Sequence, residues 1–483
     1  MNNRKAKIVA TVGPACDTLD KLRELILSGV DVVRMNFSHG THDDHRRRIG
    51  MVRQISEEIK KPITILQDLQ GPKMRVGNLP DGGIMLNVGD DVVLSASSEP
   101  SESGVEHAIP MEVPELARSV RKGSRVLLDD GRLELEVTGV RMDAIEAKVV
   151  MGGKLTSHKG VNLPGTEILI PGFTEKDRVD LAFGLEQEVD YVAISFVRSS
   201  EDIKIVRRAI SEINPERMDT RLIAKLERPE AIADLDAILD TADGVMVARG
   251  DLGVETSPQI VPIMQKLIIE AANKKSRQVI TATQMLESMM QNPRPTRAEA
   301  SDVANAVFDG TDAVMLSGET ASGAFPIEAV KMMDAIVQEA EAHTNEWGHC
   351  HPTPDALGLQ DDSYSLARAA KELAHDTDVA CIAVFTRGGH TARVMSMVRP
   401  DVPVLAFTPD KRTYLRLGLY WGITPFLVPF ASTVESMIRT VEEAIFESSL
   451  MKAGQQVVLI SGFPVGGKRP PNFVLLHTLG EYG

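Results

Sequence analysis

The sequence has few aromatic residues, few cysteines and no long hydrophobic run. Aromatic residues make up only 4% of the 483 residues, so the cores must consist mainly of Val, Ile, Leu, Ala and Met. The spacing of Cys16, Cys350 and Cys381 fits neither a disulfide framework nor a zinc site, which favours a reducing, intracellular compartment. No apolar stretch reaches the roughly 20 residues of a transmembrane helix, and the first residues lack the apolar segment of a signal peptide. We therefore expect a cytoplasmic protein that does not bind membranes.

An excess of positive charge is absent as well. The 68 acidic residues outnumber the 53 basic ones, which gives a formal net charge of −15. This balance argues against non-specific binding to nucleic acids, although a local cluster of Arg and Lys can still bind a small anion. Hydrophobic residues (43%) and charged residues (25%) occur in the proportions of an ordinary globular protein. The length predicts two or three domains.

Eight short, nearly continuous apolar runs recur along the first two thirds of the chain. Such runs are typical of strands that are buried on both faces of a parallel sheet, and helical patterns separate most of them. Eight strands that alternate with helices predict an α/β fold, a (β/α)8 TIM barrel. The runs are KIVATVGP (7–14), DVVRMNF (31–37), ITILQDL (63–69), VDYVAISF (189–196), RLIAKLE (221–227), GVMVARGD (244–251), RQVITAT (277–283) and AVMLSGET (313–320).

Two further units interrupt or follow this barrel. Residues 72–171 contain short alternating strands with Gly and Asp turns, which predicts a small antiparallel β-barrel inserted as a lid domain. Without this insertion, 1–71 and 172–345 together have the usual barrel size of about 250 residues. A stretch rich in Pro, Gly, His and Asp follows, which we interpret as a linker. Strands and helices then restart, so 346–483 is expected to be a separate C-terminal α/β domain.

Polar residues stand where the predicted barrel strands end. Active sites of barrel enzymes are built from residues of several strands at this carboxyl end. Any one of these residues alone can be a helix cap. Helix capping is a poor explanation for all of them together, so their shared position favours an active site. The residues are Arg34, Asn36, Asp68, Ser195, Lys225, Glu227, Asp251, Thr283 and Glu319.

Glu227 and Asp251 follow neighbouring strands, so their carboxylates should converge. Two carboxylates side by side are unfavourable without a cation, and Mg²⁺ is held by such oxygens together with water and ligand oxygens. The alternative is a pair of structural acids in salt bridges. Lys225 lies two residues before Glu227, on the same face of the strand, so an ammonium and a metal can flank one anion. Arg34 adds a guanidinium that matches phosphate. The sequence thus favours phosphoryl transfer.

Several motifs resemble those of the pyruvate kinase family, in order and over essentially the whole chain. The string from 293 to 320 is the most specific of them. The resemblance implies three domains, namely the barrel, the lid and a C-terminal regulatory domain. It also implies transfer of the phosphoryl group of phosphoenolpyruvate to ADP, with pyruvate and ATP as products. The motifs are RMNFSHG (34–40), GPKMR (71–75), KGVNLPG (159–165), IAKLE (223–227), MVARGDLGVE (246–255), ATQMLESM (282–289) and PRPTRAEASDVANAVFDGTDAVMLSGET (293–320).

The resemblance also implies roles for single residues. Lys225 would stabilise the phosphoryl group in transit, and Glu227 and Asp251 would hold Mg²⁺ or Mn²⁺. Backbone groups near Gly250 and Asp251, with Thr283, would hold the carboxylate of phosphoenolpyruvate. Thr283 would also lie near the carbon at which the enolate is protonated.

The phosphates have a second set of implied partners. Arg34 would bind the phosphate of phosphoenolpyruvate. His39, Arg75 and Lys159 would approach the phosphates of the nucleotide, with Asn36 nearby.

The third-strand motif departs from the common family pattern. Many family members bind K⁺ near residues that match Asn36, Ser38, Asp68 and the residue after Asp68, and they carry DTKGPEIR where this chain has DLQGPKMR (68–75). Lys73 replaces a glutamate, which removes a negative charge and adds a positive one. This resembles the K⁺-independent branch, so we expect activity without K⁺. The alternative is that Lys73 faces solvent.

A loop of the C-terminal domain resembles the family's effector site. It stands between a strand and a helix, where free N–H groups favour phosphate, and a second Gly-rich loop (462–469) could close on the same ligand. A sugar monophosphate, a sugar bisphosphate, AMP or no effector at all remain open, as does an ordinary turn. The residues of the first loop are Thr386, Arg387, Gly388, Gly389, His390 and Thr391.

Two other classes of protein remain possible on the residues alone. A barrel lyase that binds phosphoenolpyruvate with Mg²⁺ would share the acids but would need no lid with Lys159 and Arg75. A non-catalytic, effector-binding relative should have lost Lys225 or an acid of the metal pair. The family resemblance further implies a homotetramer.

Overall fold

The computed structural model describes residues 4–95, 108–111, 116–141, 144–166, 171–348, 362–465, 467 and 469–481. Cys350 and almost all of the predicted linker lie outside the described residues, as do Gly466 and Lys468 of the second Gly-rich loop. Within the described part, no helix is both long and apolar enough to cross a membrane.

The predicted barrel is present as a closed sheet of eight parallel strands. Each of the eight apolar runs forms one strand, and the strands pair in chain order around the barrel until the last, Ala313–Leu316, pairs with the first, Lys7–Thr11. The polar residues predicted at the strand ends lie among the last three residues of a strand or within three residues after it. The strands are Lys7–Thr11, Val32–Asn36, Thr64–Asp68, Tyr191–Ile194, Arg221–Leu226, Gly244–Ala248, Gln278–Ala282 and Ala313–Leu316.

The apolar runs are continuous because both faces of the barrel wall are buried. Side chains such as Leu66, Tyr191 and Met246 fill the interior, while alternate residues such as Ile65 and Val245 pack outward against the helices. Several of these helices begin with a side-chain cap, for example Thr174 and Thr296, each in a capping box. The main helices of the barrel are Leu19–Leu27, His42–Glu58, Glu175–Glu186, Ser200–Ile213, Pro229–Ala233, Leu235–Thr241, Arg249–Glu255, Val261–Lys274, Arg297–Phe308, Gly318–Ala321 and Pro326–Ala342.

The insertion forms a seven-stranded sheet with its own apolar core. The two end strands of the sheet meet, because Val76 bridges to Met111 and the Gly77 N–H donates to the Pro110 carbonyl at 2.7 Å. All its pairs are antiparallel except that of Asp91–Ser95 with Ala108–Pro110. In sheet order the strands are Met74–Arg75, Gly160–Asn162, Arg125–Leu128, Leu133–Arg141, Ala144–Met151, Asp91–Ser95 and Ala108–Pro110, and Ile84–Leu86 pairs separately with Gly153–Leu155.

The C-terminal part is an α/β unit with a five-stranded sheet between helices. Four strands are parallel, and the last one pairs antiparallel with its neighbour. In sheet order the strands are Ile423–Leu427, Val404–Thr408, Cys381–Phe385, Gln456–Ser461 and Phe473–Thr478. The helices are Asp362–Asp376, His390–Met397, Lys411–Arg416 and Val434–Glu447.

Candidate active site at the carboxyl ends of the barrel strands

Lys225 is the centre of a buried polar network formed by four neighbouring strands. Its Nζ lies 2.9 Å from Glu227 Oε1 and 3.2 Å from Asp68 Oδ1, and it donates to Ser195 Oγ at 2.7 Å. Arg34 Nε donates to the second oxygen of Asp68 at 2.6 Å. The sequence predicted that these strand ends meet, and the structure brings all five residues together.

Burial and neighbouring charges have opposite effects on the pKa values of Lys225 and Asp68. Burial lowers the pKa of Lys225, but the carboxylates of Asp68 and Glu227 outweigh it and raise that pKa above its ordinary value. Burial likewise raises the pKa of Asp68, yet Lys225 and Arg34 lower it overall. Lys225 and Asp68 therefore remain charged at neutral pH, which places a fixed ammonium among buried side chains.

The pKa of Glu227 is raised instead, mainly because the carboxylate is buried. Burial raises its pKa, Lys225 opposes this, and the charge of Asp251 raises it further. Oε2 of Glu227 accepts the backbone N–H of Phe196 at 2.7 Å, so its other oxygen is oriented towards Lys225. The two predicted metal acids are thus electrostatically coupled, and a cation between them would relieve the unfavourable interaction.

These residues fit a hard divalent cation that takes part of its ligands from a substrate. Among the described residues, no group of three or more His, Cys, Asp or Glu side chains is arranged to hold a metal. Mg²⁺ is commonly held by one or two carboxylates together with water and phosphate oxygens, and Glu227 with Asp251 matches this pattern. When bound, the ion would offset negative charge on a phosphoryl group.

Gly250 and Thr283 follow the next two strands of the barrel, beside the strand that carries Lys225. The Gly250 N–H donates to Thr283 Oγ1 at 2.8 Å, and this hydroxyl donates to the Ala282 carbonyl at 2.6 Å. Thr283 has a φ of +67°, which is uncommon for a β-branched residue. Arg249 holds this turn, because its Nη2 donates to the Thr283 carbonyl at 2.8 Å. The predicted carboxylate-binding residues are therefore adjacent.

A cleft of about 850 Å³ separates the barrel mouth from the inserted sheet. Gly250, Asp251 and Thr283 line it from the barrel, while Arg125 and Asp130 line it from the insertion. Charged residues thus face the cleft from both sides, so the insertion is placed to cover a ligand bound at the barrel mouth.

Glu319 also follows a barrel strand, but its carboxylate is already occupied. Oε1 accepts the Leu286 N–H at 3.1 Å, and Oε2 accepts the Ser317 N–H at 2.7 Å. Burial raises the pKa of Glu319. This residue fixes two loops of the barrel mouth, which is the capping role that any single strand-end residue can have.

The predicted nucleotide residues are not all in contact. Asn36 Oδ1 accepts the Ser38 N–H at 3.1 Å, so both lie in one turn. Partial burial, followed by the charges of Arg75 and Lys73, lowers the pKa of His39. Arg75 donates to the His158 carbonyl at 3.0 Å.

The backbone of Lys159 lies beside Arg75, because the Lys159 carbonyl accepts the Val76 N–H at 2.9 Å, but its ammonium is engaged within the insertion. Its Nζ pairs with Asp129 Oδ1 at 2.7 Å inside the insertion, and the structure gives it no ion pair with the barrel among the described residues.

One buried contact between insertion and barrel was not predicted. Asn162 Nδ2 donates to Glu255 Oε1 at 2.8 Å, and Arg228 Nη1 lies 3.5 Å from Glu255 Oε2. The sequence offers only an indirect signal, because Arg228 and Glu255 stand one and four residues after the two predicted metal acids.

The predicted effector loop lines a pocket of about 640 Å³ between the C-terminal unit and the barrel residues Asp219 and Arg221. Thr386, Arg387, Gly388, His390 and Thr391 contribute to it, and Gly462, Gly467 and Arg469 of the second loop lie on the same pocket. Gly389 precedes the helix with a φ of +82°, a conformation that glycine adopts readily, and its N–H donates to Thr386 Oγ1 at 3.1 Å.

A buried ammonium between carboxylates, at the carboxyl end of an eight-stranded barrel with a facing insertion, defines a barrel enzyme that acts on anions. Two family models match the chain: "Pyruvate kinase, barrel domain" over residues 3–330 and "Pyruvate kinase, alpha/beta domain" over residues 364–477. The chain belongs to the pyruvate kinase family, and it is a phosphotransferase.

Individual relatives agree with this assignment over nearly the whole chain. The pyruvate kinase of Geobacillus stearothermophilus is 42% identical over 483 residues, which cover 99% of this chain and 81% of that protein. The pyruvate kinase of Agrobacterium vitis is 42% identical over 466 residues, which cover 96% of each chain. A solved structure of a pyruvate kinase from Cryptosporidium parvum superposes with a TM-score of 0.89 at 34% identity, over 99% of this chain and 96% of that one.

Proposed function

We propose that the chain transfers the phosphoryl group of phosphoenolpyruvate to ADP and releases pyruvate and ATP. In this reaction the bond between phosphorus and the enol oxygen breaks, a β-phosphate oxygen of ADP bonds to the phosphorus, and the enolate takes up a proton to give pyruvate. The observation that carries the proposal is the position of Lys225, whose buried ammonium lies 2.9 Å from Glu227. Phosphoryl transfer depends mainly on positioning and on electrostatic stabilisation of spread negative charge.

Each part of the substrate has a partner in this arrangement. Arg34, held by Asp68 and Thr11, is oriented to bind a phosphate. The turn at Gly250 and Thr283 would hold the carboxylate, and the threonine would lie near the protonated carbon. Lys159 and Arg75 of the insertion would approach the phosphates of the nucleotide, and the insertion would exclude water from the site. Glu227 and Asp251 would hold Mg²⁺ or Mn²⁺.

A coupled assay for pyruvate with phosphoenolpyruvate, Mg²⁺ and varied ADP tests the proposal. Pyruvate should form in proportion to ADP. A barrel lyase would give pyruvate or a C–C bond product without ADP, and a non-catalytic relative would give neither product. Either of those results would contradict the proposal.

K⁺ independence is proposed for the same site. Asp68, which a K⁺ site would use, is already neutralised by Lys225 and Arg34 at 3.2 and 2.6 Å, and the Asn36 side-chain oxygen accepts the Ser38 N–H. Lys73 forms no ion pair with any described residue, and its charge acts on neighbouring His39. It is therefore available to supply positive charge that relatives obtain from K⁺.

Replacing K⁺ by choline or Tris should leave the wild-type rate within about twofold. Lys73→Glu should create a K⁺ requirement, with at least tenfold activation by K⁺, because it restores negative charge beside the active site. Lys148→Glu is the control, since Lys148 is exposed on the insertion and carries the same charge change. Loss of nearly all wild-type activity without K⁺ would refute K⁺ independence.

We further propose that a phosphorylated metabolite activates the enzyme at the pocket lined by Thr386–Thr391. Arg387, Arg412 and Arg469 line this pocket, and arginine suits phosphate recognition. Glucose 6-phosphate, ribose 5-phosphate, fructose 1,6-bisphosphate and AMP should be assayed at low phosphoenolpyruvate. At least one should raise the rate severalfold, and Arg387→Ala should abolish this response without changing the basal rate. No response to any of the four would contradict the proposal.

A homotetramer in the cytoplasm completes the proposed function. The helix Val261–Lys274 and its N-cap residue carry an exposed apolar face. Ile260, Ile263 and Leu267 are exposed at helical spacing, and Ile263 is 65% exposed. Such a face suits a contact between subunits. Light scattering should give four times the mass of the 52.6 kDa chain.

A further inference from the structure

Three buried polar side chains connect the insertion to the barrel segments that carry the acidic pair. Asn162, Arg228 and Glu255 are only 8%, 3% and 4% exposed. Glu255 contacts both others, and it uses a different carboxylate oxygen for each: Oε1 accepts from Asn162 at 2.8 Å, and Oε2 faces Arg228 at 3.5 Å. The Asn162 contact is a charge-assisted hydrogen bond between buried groups, whereas Oε2 accepts no hydrogen bond from the described residues and interacts with Arg228 as an ion pair.

Asn162, Arg228 and Glu255 form a triad, and its two barrel residues, Arg228 and Glu255, lie close in sequence to the proposed metal ligands. Arg228 follows Glu227 directly. Glu255 ends the helix Arg249–Glu255, one turn after Asp251. The pair of Arg228 and Glu255 therefore joins the two chain segments that must keep the acids at a fixed separation.

The insertion member stands beside a proposed nucleotide residue. Asn162 ends the strand Gly160–Asn162, three residues after Lys159. A second link comes from Arg228, whose Nη2 donates to the Thr166 carbonyl at 3.3 Å. The insertion thus contacts the barrel through Arg228 and Glu255, the two residues that also connect the segments of the proposed metal ligands.

We propose that Glu255 is a positioning residue that couples closure of the insertion to the alignment of Glu227 and Asp251. When the insertion lies on the barrel, Asn162 occupies Oε1 and Arg228 is held against Oε2, so one carboxylate fixes all three segments. When the insertion lifts, Oε1 loses its donor and the Arg228 contact is no longer sheltered. The site is then complete only when it is covered, which limits transfer of the phosphoryl group to water. This inference rests on the proposed function.

Exchanging the amide of Asn162 and the carboxylate of Glu255 tests whether closure of the insertion is coupled to alignment of the metal ligands. Asn162→Asp places two carboxylates face to face, so kcat/KM for ADP should fall about tenfold to a hundredfold, and pyruvate should exceed ATP because hydrolysis increases. Combining it with Glu255→Gln restores one amide and one carboxylate with the donor on the other side. The double variant restores the bond between positions 162 and 255 but leaves Arg228 facing a neutral amide, so kcat/KM should rise at least about threefold above that of Asn162→Asp without reaching the wild-type value, and the excess of pyruvate over ATP should become smaller.

The matched control is Asn87→Asp, which makes the same chemical change at an exposed position of the insertion that bonds Asp90. It should behave as wild type. A merely structural role for the triad would lower the melting temperature without changing the ratio of pyruvate to ATP, and the double variant would be no better than the single one. That result, or wild-type kinetics for Asn162→Asp, would overturn the proposal.

Hydrogen exchange separates failure of this inference from failure of the proposed function. Exchange of the amides of 160–162 needs no turnover, and it should be faster in Asn162→Asp and normal again in the double variant. If the wild type makes no pyruvate, but exchange is still faster in Asn162→Asp and normal in the double variant, only the proposed reaction is wrong. If the wild type makes pyruvate and ATP while exchange is unaffected by the substitutions, only the coupling is wrong.

Discussion

Lys225→Met should lower kcat by about 10³-fold or more, the effect expected when a cation that stabilises the transferred phosphoryl group is lost. The ammonium is buried between Asp68 and Glu227, which raise its pKa, so it is charged throughout the physiological range. In the low dielectric of this site, its interaction with a phosphoryl group is worth much more than in water. Steady-state assays at saturating phosphoenolpyruvate and ADP measure the loss.

Two comparisons show whether the loss is chemical or structural. Lys225→Met leaves buried carboxylates without their counter-charge, which costs about 3–5 kcal/mol of stability, so circular dichroism and thermal melts must accompany the assay. Added Mg²⁺ should recover part of that stability, because the ion can replace the lost charge. Lys274→Met, at an exposed lysine that pairs with Glu270, should retain wild-type kinetics. A folded Lys225→Met protein with kcat within tenfold of wild type would contradict the assigned role.

Glu227→Gln should abolish the normal response to divalent metal. We expect a fall in kcat/KM of about 10²–10³-fold and at least a tenfold rise in the Mg²⁺ concentration that gives half-maximal activity. The reason is that the neutral amide removes one of two charges that hold the ion, while Asp251 alone remains. Chelation of the wild type by EDTA should remove activity, and Mg²⁺ or Mn²⁺ should restore it.

Glu319→Gln provides the matched control for this substitution. Glu319 is also buried at the barrel mouth, but its oxygens accept the backbone N–H groups of Leu286 and Ser317. Its replacement should lower the melting temperature by weakening these bonds and should leave the Mg²⁺ titration unchanged. An unchanged Mg²⁺ titration for Glu227→Gln, or a shifted one for Glu319→Gln, would show that the metal site is wrongly placed.

The barrel and the position of the candidate site could be predicted, because the local pattern of apolar runs and the topology of the barrel agree there. Strands buried on both faces leave continuous apolar runs, and a polar residue that ends such a run must lie at the carboxyl end of the barrel. Lys225 and Glu227 could be placed together because residues two apart on a strand share one face, and the structure puts them 2.9 Å apart.

The contacts between distant segments were not predictable in this way. Asn162 and Glu255 are separated by 93 positions and lie on a strand of the insertion and at a helix end, so no period in the sequence relates them. The role of Glu319 was also undecided. In the sequence, a glutamate at a strand end looks the same whether its carboxylate accepts backbone N–H groups or binds a metal. Only the positions of Leu286 and Ser317 distinguish the two.

In the proposed reaction, phosphorus passes directly from phosphoenolpyruvate to ADP at the site of Lys225, Glu227 and Asp251. ³¹P NMR of the purified wild-type protein with phosphoenolpyruvate, ADP and Mg²⁺, in choline buffer without K⁺, tests it most directly. The phosphoenolpyruvate resonance should disappear as the γ-phosphate resonance of ATP grows at the same rate, and Lys225→Met should stop both changes. Phosphorus that appears as inorganic phosphate, or an unchanged phosphoenolpyruvate resonance in the wild type even after K⁺ is added, would contradict the account.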